Sequence, residues 1–258
     1  MQPDTSEPGA PLKPPIAHMW ISALFWSIAA LSVITWLISE VSFLHEYAAP
    51  SVAEAVWAPW WYNDHPLSQI VWGLVMLGCG AGLWVWLGHR GVRHEAAPRG
   101  DLGPLIIFLI FASVAVNWYA FAPIDYIALQ LTGQEVLPVE KPGYETTYAP
   151  ETLPGELFSA VIAAPVFEEL AFRGFLLSVL LARGWPVWMS VTAVAALFAG
   201  THEQYYLSGQ ISVFILGVLM GYLRVASGGI AAPILAHALS NLIVTFYNFS
   251  IDNSVSSS

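Results

Sequence analysis

The feature that most restricts this chain is a series of uncharged apolar runs, each about long enough to cross a bilayer. They cover residues 19–39, 66–88, 102–124, 184–201, 204–223 and 225–251; about 20 apolar residues suffice for a helix to span hydrocarbon. A seventh apolar stretch, 157–182, is interrupted in its middle by Glu168, Glu169 and Arg173. Backbone in lipid must satisfy its own hydrogen bonds, so such runs fold as helices. The alternation of membrane β-strands is missing from the sequence, and a barrel needs many more segments. The expected fold is all-α, a polytopic transmembrane helix bundle of about seven spans.

Composition agrees. Charged residues make up 10% of the chain, against about 25% in a soluble domain. With Lys+Arg 8, Asp+Glu 18 and a net charge of −10, a nucleic-acid binder is excluded, because that role needs a basic face. A single cysteine, Cys79, excludes internal disulfides and a cysteine zinc cluster.

Orientation follows from the cations. With the N-terminus inside and the C-terminus outside, Lys13, Arg90, Arg93, Arg99, Arg183 and Arg224 fall on the cytoplasmic side. Lys141 alone falls outside, and Arg173 lies within a span. The expected organisation is a disordered cytoplasmic tail (1–18), three N-terminal transmembrane helices with their loops (19–130), an acidic outer loop (131–154), a helix bundle (155–251) and a polar tail (252–258). Residues 40–65 form a further outer connection, whose Trp57, Trp60, Trp61 and Tyr62 suit the headgroup layer. The first run is too long for a signal-peptide core and has no basic region before it, so it reads as a retained span.

Ionisable groups inside a span are costly and usually functional, at roughly 2.5–3.5 kcal/mol each. In AAPVFEELAFRGF, Glu169 and Arg173 are four apart with the acid first, the favourable order for a helical pair. Glu168 lies about 100° round the helix from its neighbour. The spacing therefore assigns Glu169 and Arg173 to a fixed ion pair and leaves Glu168 free for chemistry. A buried network that holds helices together, or an ion path, would use the same residues.

Of the seven histidines, only His202 and His237 lie in or at the ends of otherwise apolar helices. Phe198 precedes His202 by one turn, and Asn241 follows His237 by one turn on the same face. Pro165 and Pro233 stand three and four residues before Glu168 and His237. Each removes a helical N–H and frees a carbonyl, which would kink the helix or admit water; tolerated proline is the plainer reading.

The ordered motifs EELAFR (168–173), FAGTH (198–202) and HALSN (237–241) resemble those of the CPBP family of intramembrane proteases. That family includes CAAX prenyl endopeptidases and bacterial proteins grouped as bacteriocin-processing or abortive-infection proteins. Its EExxxR, FxxxH and HxxxN patterns all match, and LGVLMG (216–221) fits its glycine-marked helix. The resemblance covers about residues 155–245. It implies that Glu168 activates the attacking water with His202 as its partner in proton handling. It also implies that His237 and Asn241 stabilise an oxyanion, and that Glu169 and Arg173 support the architecture.

A carboxylate held out of bulk water suits general-base work, and an amide and an imidazole one turn apart can both serve one developing negative charge. No cofactor is implied outright. Two histidines and a glutamate also match a His₂Glu zinc set, so a Zn²⁺ mechanism stands beside a metal-free glutamic one, which the sequence favours because no His-Glu-x-x-His helix is present. The implied activity is endoproteolysis of a membrane-embedded or lipid-anchored protein or lipidated peptide, such as a C-terminal sorting or anchor segment. The implied setting is a multi-pass protein of a prokaryotic plasma membrane, with the lipid bilayer as its other partner. The alternatives are a non-catalytic immunity or binding protein on the same scaffold, and a transporter using the acids and histidines as a proton relay.

Overall fold

The structure is a computed structural model and describes residues 14–29, 66–132, 150–202 and 204–256. All the regular elements among these are helices. A 3-10 turn, Pro15–His18, leads into α1 (Trp20–Leu24), which runs on as a π turn, Phe25–Ala29. Helices α2 (Pro66–His89), α3 (Arg93–Ala96) and α4 (Pro104–Thr132) follow. Next comes a continuous rod over residues 153–182, here α5, in which the winding alternates. Leu153–Glu156 is α, Leu157–Ala163 π, Ala164–Glu168 α, Glu169–Leu176 π and Leu177–Ala182 α. Helices α6 (Val187–Gly200), α7 (Leu207–Ser227) and α8 (Ala231–Ser256) complete the bundle.

Prolines open several of these helices. Pro66 and Pro104 are first residues, and Pro154 and Pro233 lie in first turns, where a missing N–H removes no helical bond. That corrects the expectation for Pro233, which starts α8 instead of kinking it. The break before it falls at Gly228, whose φ of 68° closes α7 in the left-handed conformation that glycine adopts without strain.

Rod α5 is the centre. Its Phe167, Leu170, Ala171 and Phe175 pack with Leu83 and Leu87 of α2. A second cluster joins Ile106, Ile110 and Val114 of α4 to Leu216, Met220 and Leu223 of α7 and to Ala232 and Ala236 of α8. The fourfold spacing in α4 and α8 gives each helix one face for this contact. Helix α7 meets α6 through Gly217 and Gly221. A Cβ on Gly221 would come within 2.7 Å of Val191, and one on Gly217 within 3.0 Å of Ala195. Small residues four apart let membrane helices approach closely, where dispersion and not the hydrophobic effect drives association.

Within this largely apolar core lie two charges, and several large apolar side chains lie on the outside. Glu169 and Arg173 are fully buried, whereas Leu105, Phe108 and Phe111 of α4 and Trp188 of α6 are exposed by 60% or more. Such a surface suits hydrocarbon or another apolar partner better than water. Among the described residues, two helical stretches, Gln69–His89 and Leu207–Ser227, are long and apolar enough to cross a membrane. The seven expected spans are only partly matched. Helix α6 has 14 residues, about 21 Å, which is short of the roughly 30 Å hydrocarbon core. The remainder of the first expected span, beyond Ala29, lies outside the described residues.

Several boundaries differ from those drawn on sequence. Within the segment read as a tail, Pro15–His18 form an ordered turn that buries Ile16 and Ala17; residues 1–13 lie outside the described residues, as do 133–149 of the acidic loop. Helix α8 continues through Ser256, past the expected end at 251. Arg224 is not a loop cation. It sits buried in the last turn of α7 and donates from Nη2 to Ser178 Oγ at 3.3 Å, and Ser178 Oγ donates to the Glu95 carbonyl.

At the same end, the α3–α4 connection clasps the α7–α8 turn. Ile230 and Ala231 donate to the carbonyls of Pro98 and Arg99, and Asp101 donates to that of Ser227 at 2.7 Å. A Cβ on Gly229 would collide with the backbone of Arg99 and Gly100. Backbone cannot swing aside, so Gly229→Ala is expected to cost about 3 kcal/mol, read as a lowered thermal midpoint in detergent. An unchanged midpoint would show that the clasp contributes nothing.

Candidate active site

Three helices, α5, α6 and α8, supply the singled-out residues. Within α5, Arg173 Nη1 donates to Glu169 Oε1 at 2.9 Å, and neither side chain is exposed at all. The pair sits in the π segment Glu169–Leu176; π turns within helices are often found at functional sites. The guanidinium also donates from Nη2 to the Gly217 carbonyl at 3.4 Å and stacks 4.2 Å from the Phe198 ring. Gly217 thus serves twice, as a close-approach point for α6 and as an acceptor for this arginine.

Helix α8 supplies His237. Its Nδ1 lies 2.9 Å from the same Glu169 Oε1, and a carboxylate can only accept, so Nδ1 carries a proton. One carboxylate oxygen therefore holds both a guanidinium and an imidazole. The opposite ring nitrogen, Nε2, lies 3.9 Å from Glu168 Oε2. Glu168 itself keeps 14% of its side chain exposed, in contrast to its fully buried neighbour. The separation of the two acids expected from helical spacing is what the structure contains.

His202 follows α6 directly. Its Nδ1 donates to the Phe198 carbonyl at 2.8 Å, which fixes the tautomer and leaves Nε2 free of that bond. The ring packs edge-on to Phe198 at 4.7 Å and parallel to Tyr205 at 6.0 Å. Glu168, His237 and Arg173 all lie within electrostatic reach of it. Phe198 is the shared wall of the site, since it also meets Phe172 and His237 edge-on at 5.1 and 5.9 Å.

Asn241 is placed differently from His237. Its Nδ2 donates to the Ala160 carbonyl at 2.7 Å, a carbonyl of α5 eight residues before Glu168. One of the two amide N–H groups is committed there.

The zinc alternative can be tested against these positions. Both imidazoles use Nδ1 toward a carboxylate or carbonyl, the arrangement that orients a metal-ligating histidine. Among the described residues, however, no three histidine, cysteine, aspartate or glutamate side chains lie close enough together to hold an ion. As placed, this donor set does not fit a metal centre.

Sequence reasoning picked out six residues, and it noted Phe198 only as a companion of His202. The importance of Phe198 was readable in its turn spacing. The roles of Tyr205, the Gly217 carbonyl and the Ala160 carbonyl carried no such signal, because each depends on another helix.

Comparison with known proteins covers the same part of the chain. Residues 150–243 match the family described as type II CAAX prenyl endopeptidase Rce1-like. The chain is also similar to an Escherichia coli protein described as an uncharacterized 24.3 kDa protein, at 29% identity over 145 residues, or 54% of this chain and 67% of that one. No solved structure matches. The segment that carries every one of these polar side chains, residues 150–243, is thus the part of the chain that is similar to the Rce1-like CAAX prenyl endopeptidases.

Proposed function

We propose that the chain is an intramembrane endopeptidase that hydrolyses a peptide bond near the terminus of a membrane-embedded or lipid-anchored protein by a metal-free, glutamate-based mechanism. The observation that carries this reading is the contrast between the adjacent acids. Glu169 is committed to Arg173 and His237, and Glu168 faces the far nitrogen of the same imidazole with part of its surface open.

In this reading Glu168 takes a proton from water as the oxygen attacks the scissile carbonyl. His202, held by the Phe198 carbonyl, moves that proton on toward the leaving amine through Nε2. His237, entering the step with a proton on each ring nitrogen, donates its Nε2–H as a hydrogen bond to the oxyanion and keeps that proton; the Glu169 carboxylate behind Nδ1 stabilises the imidazolium. The spare N–H of Asn241 is the second donor. A site walled by Phe172 and Phe198 keeps bulk water away, so each charge interaction is strengthened.

The bundle is proposed to sit in a prokaryotic plasma membrane with about seven spans, N-terminus inside, on the cation bias of its connections. Comparing membrane-protein termini in cells carrying wild type or Glu168→Gln tests activity and substrate at once. New termini in wild-type membranes alone, formed equally in the presence of a chelator, are expected. Identical termini in both strains would refute proteolysis, and chelator-sensitive ones would restore the zinc alternative.

A further inference from the structure

The Asn241 side chain rests on a carbonyl that an ordinary helix would not offer. In the π segment Leu157–Ala163, hydrogen bonds skip one residue further than in an α-helix, and its last one runs from the Ala164 N–H to the Ser159 carbonyl. Continued by one residue, that register would place the N–H of residue 165 on the carbonyl of Ala160. Residue 165 is proline and has no N–H. The Ala160 carbonyl is therefore left open, and it is this oxygen that receives Asn241 Nδ2 at 2.7 Å. A carbonyl within a membrane must find a donor, so the proline, the π register and the asparagine form one device.

We infer that Pro165 is a positioning residue for Asn241: by withholding a backbone donor it reserves the Ala160 carbonyl for the Asn241 amide and so sets the direction of the remaining N–H and Oδ1. Glu168 follows three residues later on the same rod. One proline thereby fixes the register of α5 at the point where α8 delivers its second polar group. The inference rests on the proposed proteolysis only for its catalytic consequence; the hydrogen-bond exchange stands apart from it.

The test uses the full chain in proteoliposomes with a lipidated peptide. Pro165→Ala supplies the missing N–H, which then competes for the Ala160 carbonyl. Stability should hold or rise, because alanine is the better helix former. Turnover should nevertheless fall about 10-fold or more in kcat with little change in KM, in line with loss of an oxyanion donor. A residue needed only for structure would lower both stability and activity. An α-hydroxy acid at position 165, whose ester linkage also lacks a donor, should restore kcat; failure to restore it would overturn the inference.

A second arm needs no activity. In a cycle with Asn241→Ala, Pro165→Ala should raise the thermal midpoint more in the Asn241→Ala background than in wild type. In wild type the new backbone bond displaces an existing one, and the difference should be about 2–4 °C. Additive midpoints would overturn the inference whether or not the protein cleaves peptides. Coupled midpoints with no wild-type cleavage would instead count against the protease reading alone.

Discussion

Glu168→Gln should lower turnover of a lipidated peptide by roughly 10²–10⁴-fold, the usual contribution of a positioned general base, and should leave the protein folded in the membrane. The amide keeps the shape of the carboxylate and can still hydrogen bond, but it cannot take a proton from water. Stability should barely change, since Glu168 is the one of the two acids that is partly open and lies 3.9 Å from His237 without a close ion pair. Purified variant and wild type, compared for cleavage and thermal midpoint in the same detergent, give both readouts. Wild-type turnover by the variant would remove Glu168 from the mechanism. A collapsed midpoint would show that Glu168 holds the bundle together, the structural reading that its sequence context left open.

The opposite pattern is expected one turn away. Arg173→Met should destabilise the protein by about 3–5 kcal/mol, the cost of leaving a buried carboxylate without its cation. Glu169 has no exposure to water through which to recover. The guanidinium also ties α5 to α7 at the Gly217 carbonyl and to α6 through the Phe198 face, so its loss loosens three helices at once. Low yield and a steep fall in thermal midpoint are expected. The double variant Glu169→Gln, Arg173→Met should recover part of that loss, because it removes the stranded charge along with its partner. No recovery would mean that the stacking on Phe198, and not the ion pair, is what Arg173 contributes.

The two carboxylates are adjacent in sequence and fall to opposite fates for a plain geometric reason. On a helix, neighbours point about 100° apart. One faces the interior of the bundle, where a guanidinium four residues on can reach it. The other lies near the far nitrogen of His237 with part of its side chain open. This division of labour was legible in the spacing of Glu168, Glu169 and Arg173. The helical class was legible too, in run lengths and in the scarcity of charge. The winding of α5 was not. Nothing in the stretch 157–176 announces π turns, because they add one residue per hydrogen-bonded loop without altering the hydrophobic content. Nor was the shortness of α6, since the apolar run 184–201 includes the Gly184–Pro186 turn and the residues that lead toward α7.

Local spacing determined what lies within one helix: the apolar runs, the Glu169–Arg173 pair, and the turn-spaced Phe198–His202 and His237–Asn241 companions. Those follow from a fixed rise and rotation per residue, which the order of residues already contains. Only the packing of α5, α6, α7 and α8 decided that His237 shares an oxygen with Arg173, that Phe198 walls the site, and that Asn241 reaches the Ala160 carbonyl. Such contacts join residues up to 81 positions apart. They depend on how helices cross in three dimensions, which depends in turn on where glycine lets two backbones approach and where proline leaves a carbonyl without a donor.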